Sequence, residues 1–177
     1  MMEFNSQKYL FLKGFLFLGI FLLLHYAYDW FPNIFTSLFS GTDESTFEHW
    51  KIGFYCYIVL IVFELNFFKV QIERKSDYLA ASIFTAILIP WLIFLVWYIA
   101  PAVYGPFDSI VVEIIYANIS TYTVLLFAHQ LQLMLYKIQF EKKEKMIIWV
   151  LFGILVMLFT IFTFKKPWAD VFIESDF

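Results

Sequence analysis

The 22 residues from Tyr78 to Ile99 and the 19 from Met146 to Phe164 contain no Asp, Glu, Lys or Arg. A helix of about 20 such residues matches the roughly 30 Å hydrocarbon thickness of a bilayer. Inside a bilayer every backbone N–H and C=O must find a partner within the protein, so unbroken apolar runs of this length read as spanning helices. Three more apolar runs carry scattered polar residues: about Tyr9 to Trp30, Ser45 to Lys69, and Phe107 to Tyr136. The expected fold is all-α, a polytopic membrane protein of about five transmembrane helices, with Asn33 to Ser40 too short to span and lying at the interface as a turn or half-helix. Five spans with short loops use all 177 residues, so one integral-membrane domain, 1–177, is expected.

Composition agrees and removes whole classes. At 62% hydrophobic the chain exceeds what a small soluble core can hide, since soluble chains run near half apolar. A formal charge of −3 without a basic stripe excludes nucleic acid as a partner and leaves the lipid bilayer. The single cysteine, Cys56, permits no disulfide framework and no thiolate metal cage. Phe15 to Leu24 after Lys13 imitates a signal peptide, but no small-x-small cleavage site follows, so a retained first helix is expected.

Breakers and caps set the boundaries. Pro32 stops the first helix, and Ser45-Thr46-Phe47-Glu48 reads as a capping box opening the second. Pro90 is expected to kink the third, because its missing N–H frees the Ala86 carbonyl. Pro101, Gly105 and Pro106 read as a rigid turn. With five spans, nine Lys and Arg residues fall on the side of the N-terminus and three on the other. That bias places the N-terminus in the cytoplasm and the C-terminus outside the plasma membrane.

Ionisable residues sort by depth into two sets. The outer set holds His25 and Asp29 from the first helix, Asp43, Glu44, Glu48, His49 and Lys51 around the start of the second, and Asp108 and Glu113 from the fourth. Imidazole and carboxylate are the usual ligands of zinc and related divalent ions, which makes His25, Asp29, Glu48 and His49 a candidate metal set. Such an ion can activate water against a lipid or peptide carbonyl. No HExxH or HxxxH pair is present. The alternative is a packed network in which Glu48 caps its helix, Lys51 neutralises Glu44 and Glu48, and His25 bonds Asp29. The inner set is Glu64 and His129. Glu64 lies about 21 Å deeper than Trp50 and is expected to be neutral unless a cation is close. An intramembrane carboxylate is either a functional group or a fastener between helices.

LLHYAYDW, DESTFEHWK, FELNF and FTFKKPWADVF follow one another in an order that resembles an uncharacterised family of small bacterial and archaeal multi-pass membrane proteins, domain of unknown function 6512. Its central motif is similar to NES-x-WEH-x-K. Glu44, Ser45, Glu48, His49 and Lys51 match it, whereas Asp43 replaces the Asn and Phe47 the Trp. His25 also matches, Asp29 stands where the family tends to have an acid, and the paired prolines of the family's end are reduced to Pro167. The resemblance implies no activity, and it concentrates attention on the outer cluster.

Three functions are open to such a chain. The first is an outward-facing site for a small ligand, ion or proton in a transporter- or sensor-like protein, and the second a metal-dependent intramembrane lipid hydrolase. The third is an accessory or scaffold subunit of a membrane complex. Transport by so few helices calls for a homodimer, and the scaffold reading for a membrane-protein partner. The charge bias makes one direct prediction. A cysteine placed at Lys143 should resist membrane-impermeant maleimide in intact cells and react after permeabilisation, and labelling from outside would reverse the orientation.

Overall fold

A computed structural model describes residues 6–66 and 72–173. Lys69, placed above at the end of the second apolar run, lies outside the described residues, as do residues 174–177. The described elements are α1 (Gln7–Trp30), α2 (Ile34–Phe39), α3 (Thr46–Asn66), α4 (Lys75–Trp97), α5 (Ile99–Tyr104), α6 (Ile110–Tyr136), α7 (Lys142–Phe164) and a short 3-10 turn, Asp170–Phe172. No strand occurs among the described residues, so the fold is all-α.

Four helical runs are long and apolar enough to cross a membrane: α1, the combined run of α4 and α5, α6, and α7. The chain is a helical membrane protein. The fifth expected span, α3, has 21 residues but is not in that set. Glu48, His49, Lys51 and Glu64 lower its hydropathy, and it is the helix the others cover. Its buried residues run from Phe47 to Glu64, and it packs against α1 and α4, with Phe54 also meeting Phe152 and Phe159 of α7. A helix shielded in this way need not be apolar on every face. By contrast α7 fully buries only Ile148 and Phe159, packs Phe152, Leu155, Val156 and Phe162 part-buried against the core, and leaves its other face outward.

Helix ends depart from expectation where local hydrogen bonds outcompete it. The capping box of α3 does not form between Ser45 and Glu48. Asp43 Oδ1 accepts from Ser45 N–H at 2.9 Å, and the Glu48 carboxylate reaches further back, to Thr42 N–H at 2.9 Å. α2 is capped by Asn33, whose Oδ1 accepts from Phe35 and Thr36 N–H at 2.9 and 3.1 Å. Ser40, just past α2, accepts from Tyr28 N–H at 2.9 Å and donates to the Leu24 carbonyl, which ties the α2 segment to the end of α1. α4 passes through Pro90 unbroken. Pro101 lies inside α5 rather than in a turn, and the reversal comes at Gly105, where φ of +85° suits glycine. α7 begins at Lys142, four residues before the expected Met146, because Glu141 and Glu144 form a reciprocal cap.

In lipid the helices gain little from hydrophobicity, so close approach and internal hydrogen bonds must hold them. Gly14 is one such approach: a Cβ there would lie 2.5 Å from the Tyr122 ring of α6. Gly19 and Gly153 have nothing within 4 Å of that position. Gly14→Ala should therefore cost about 1–3 kcal/mol of stability in detergent by overpacking. Gly19→Ala and Gly153→Ala should be neutral or slightly stabilising through helix propensity. Thermal melting of the three variants checks the contrast.

Candidate functional site

At the end of the bundle where α1 stops and α3 begins, three side chains from three elements face one another. His25 comes from the last turns of α1, His49 from the first turn of α3, and Glu44 from the loop between α2 and α3. The two Glu44 oxygens divide between the rings: Oε1 lies 3.5 Å from His25 Nε2 and Oε2 lies 3.7 Å from His49 Nε2. The imidazole centroids are 5.3 Å apart, and Phe21 stacks at 6.5 Å from each, forming an apolar floor. His49 Nδ1 is 2.9 Å from the Ser45 carbonyl, which can only accept, so in the neutral ring this nitrogen carries the proton and Nε2 presents a lone pair. His25 Nδ1 is buried with no hydrogen-bond partner among the described residues. Side-chain exposure rises outward, from 16% at His25 through 32% at His49 to 54% at Glu44, so the group opens to its surroundings on the Glu44 side. Glu113, in the first turn of α6, lies within electrostatic reach of His49 and Glu44.

Glu48 and Lys51 belong to a different arrangement. Both are fully buried, with Lys51 Nζ 2.7 Å from the Glu48 carboxylate. Lys51 also donates to the Ser37 carbonyl at 2.8 Å and to Thr163 Oγ1 at 3.0 Å, joining α3 to α2 and α7. Lys51 is thus held by Glu48 and does not balance Glu44. Beside this lock, Asp43 pairs with Lys166 beyond α7, and Phe172 of the 3-10 turn lies 4.7 Å from Phe47. Asp29 is exposed at the end of α1, one turn past His25, and is not among the three converging groups. The candidate metal set of His25, Asp29, Glu48 and His49 is therefore brought together only in its histidines, and Glu44 takes the place of both other carboxylates.

The inner residues form a second buried network at the opposite end. Lys13 Nζ lies 2.7 Å from Glu64, and the side chains are 2% and 1% exposed. The hydroxyls of Tyr9 and Tyr78 donate to the two Glu64 oxygens. Lys13 also donates to Gln132 Oε1 at 2.6 Å, which accepts from the Tyr57 hydroxyl at 2.7 Å, and the Gln132 amide donates to Ser82 Oγ at 2.6 Å. His129 is buried, with its ring 5.7 Å from that of Tyr9. Four helices, α1, α3, α4 and α6, are tied by one polar cluster. The cation that would keep Glu64 from being neutral is Lys13, which the charge count had placed among the cytoplasmic basic residues.

Tyr9, Lys13, Tyr57, Tyr78, Ser82 and Gln132 were not singled out in the sequence, although the i,i+4 pair Tyr9 and Lys13 and the i,i+3 pair His129 and Gln132 were available as polar stripes. Between the two polar ends, the same face of α1 carries Phe17 and Phe21, both buried, with Phe17 against Tyr57 at 6.4 Å. Two aromatic layers separate the polar clusters.

No known protein family, curated protein or solved structure matches the chain.

The Lys13–Glu64 pair has a measurable consequence. Glu64→Gln leaves an ammonium group buried without its counter-charge and should cost about 3–5 kcal/mol, whereas Lys13→Met combined with Glu64→Leu removes both charges and should recover most of that loss. Denaturation of the single and double variants in detergent tests this. Equal stability of Glu64→Gln and the parent would mean that the pair is not charged in the native protein.

Proposed function

We propose that this protein is a multi-pass protein of the plasma membrane, with a cytoplasmic N-terminus and an outward-facing site for a small ion or ligand built from His25, Glu44, His49 and Glu113. One observation carries the reading. The other buried charges described above each meet a counter-charge at 2.7 Å, Glu48 with Lys51 and Glu64 with Lys13, whereas the His25–Glu44–His49 contacts stay at 3.5 and 3.7 Å and open to the exterior. Groups that served only as a helix lock would close on one another, since a buried polar group with no partner costs about 1–3 kcal/mol. The resemblance of DESTFEHWK to an uncharacterised membrane-protein motif supports the same address. Phe17 and Phe21 close the path between the two polar clusters, which favours a sensor- or receptor-like site over a transport pathway.

The test is a thermal-shift series on the purified full-length chain, with Zn2+, Mn2+, Ca2+, phosphate and acidification as the additions. At least one should move the melting temperature of the parent by several degrees, as binding to the native state requires, and not that of the His25→Ala/His49→Ala double variant. Identical responses of parent and variant to every addition would overturn the reading.

A further inference from the structure

Resting on that reading of the site, we infer that its ligand is a single first-row divalent metal ion of the zinc class, held by His25 Nε2, His49 Nε2 and the Glu44 carboxylate, with one coordination position open to water. Four-coordinate zinc takes histidine nitrogen at about 2.0–2.1 Å and carboxylate oxygen at about 2.0–2.2 Å, so its ligand atoms sit about 3.3 Å from one another. One ligand atom from each of His25, Glu44 and His49 lies within 4.8 Å of the other two, and the two contacts to Glu44 are 3.5 and 3.7 Å. A small side-chain rotation closes that gap. Hydrogen bonds between these groups would be tighter than this, and unrelated side chains would be farther apart.

The chemistry of the donor set points the same way. His49 is fixed through Nδ1 by a backbone carbonyl, which is how metal-bound imidazoles are commonly oriented and their ligating nitrogen made more basic. Two imidazoles at 5.3 Å are poorly arranged to be protonated together beside one carboxylate, but as neutral rings they suit a dication. Glu44 supplies one negative charge, and Glu113 a second at longer range. The charge of the ion would then be met without Glu48, which Lys51 already engages. Among the described residues no other group of His, Cys, Asp and Glu converges in this way. Three protein ligands are also fewer than a closed structural zinc site uses, and the open position faces the exposed Glu44 side.

Tag-free full-length protein, purified in detergent and stripped with chelator, should bind Zn2+ at one equivalent by calorimetry. With Co2+ it should give the intense visible bands of a four-coordinate site. His25→Gln, His49→Gln and Glu44→Gln should each weaken Zn2+ binding by more than about 100-fold, beyond the 10–100-fold loss typical of outer-shell changes. Asp29→Asn should bind within a few-fold of the parent. The metal-free melting temperatures show that the variants are folded. If neither metal binds stoichiometrically, or if the histidine variants bind as the parent does, the metal assignment is overturned. A response to protons or phosphate that still depends on His25 and His49 would then leave the ligand-site reading standing. Loss of every such response would remove both.

Discussion

A charged side chain placed in hydrocarbon must be neutralised inside the protein, and α3 brings three such groups into the bundle: Glu48, Lys51 and Glu64, each at most 1% exposed. The arrangement of the other helices answers that demand. Glu48 and Lys51 pair within α3 and then reach α2 and α7 through Ser37 and Thr163. Glu64 finds Lys13 on α1, and the shell around that pair draws in Tyr78 from α4 and Gln132 from α6. Because lipid offers the helices no apolar reason to associate, these contacts and the glycine-mediated approaches are what specify which faces meet. A buried ion pair is a poor source of net stability, yet it is costly to mispair, and that asymmetry makes it effective at fixing register. Four apolar helices around one polar helix is the architecture that follows.

The same logic separates a closed polar network from an open one. Lys13, Glu64, Gln132 and Tyr57 form a closed circuit in which donors and acceptors meet at 2.6–2.7 Å. His25, Glu44 and His49 are more exposed and at longer distances, with one imidazole nitrogen fixed by backbone and another lacking a partner among the described residues. Phe21 stacks 6.5 Å from both rings and gives the cluster an apolar floor. The two clusters are about twelve residues apart along α1, or about 18 Å, with Phe17 and Phe21 filling the interval.

Much of this was legible in the sequence, and the remainder failed for definable reasons. The helices of the apolar runs, the half-helix after Pro32 and the nearness of His25 to His49 follow from length, breakers and a short connection between antiparallel neighbours. Single-helix spacing could not reveal rotation between helices. Asp29 is one turn from His25 and was therefore an obvious partner, but it ends exposed while Glu44 comes across from the loop. The capping box read correctly as a helix start but incorrectly as a pairing, since Asp43 supplied the turn and freed Glu48 for Thr42 and Lys51. Lys13 looked like a flanking basic residue because its partner, Glu64, lies far along the chain. The sequence read α3 as a fifth span, whereas its polar content leaves it outside the helices apolar enough to cross a membrane and becomes reasonable once its neighbours cover it.

Glu44 shows how a loop residue can be held as firmly as those on helices. Both histidines stand on long helices, whereas Glu44 lies in the short connection from α2 to α3, which would ordinarily leave its carboxylate free to wander. That connection is fastened on both sides of Glu44. Thr42 N–H is bound by the buried Glu48 carboxylate, and Asp43 is bound by Lys166 while accepting from Ser45 N–H. Glu48 is in turn fixed by Lys51, and Lys51 by α2 and α7. The segment after α7 adds its own anchor where Phe172 packs on Phe47 and Phe162. The position of the most exposed member of the site therefore depends on the most buried charges in its half of the bundle. The lock and the open cluster, which looked like competing explanations of one motif, are consecutive layers of one construction: the inner layer uses its polarity to hold the loop, and the outer layer leaves its polar atoms at longer distances and open to their surroundings.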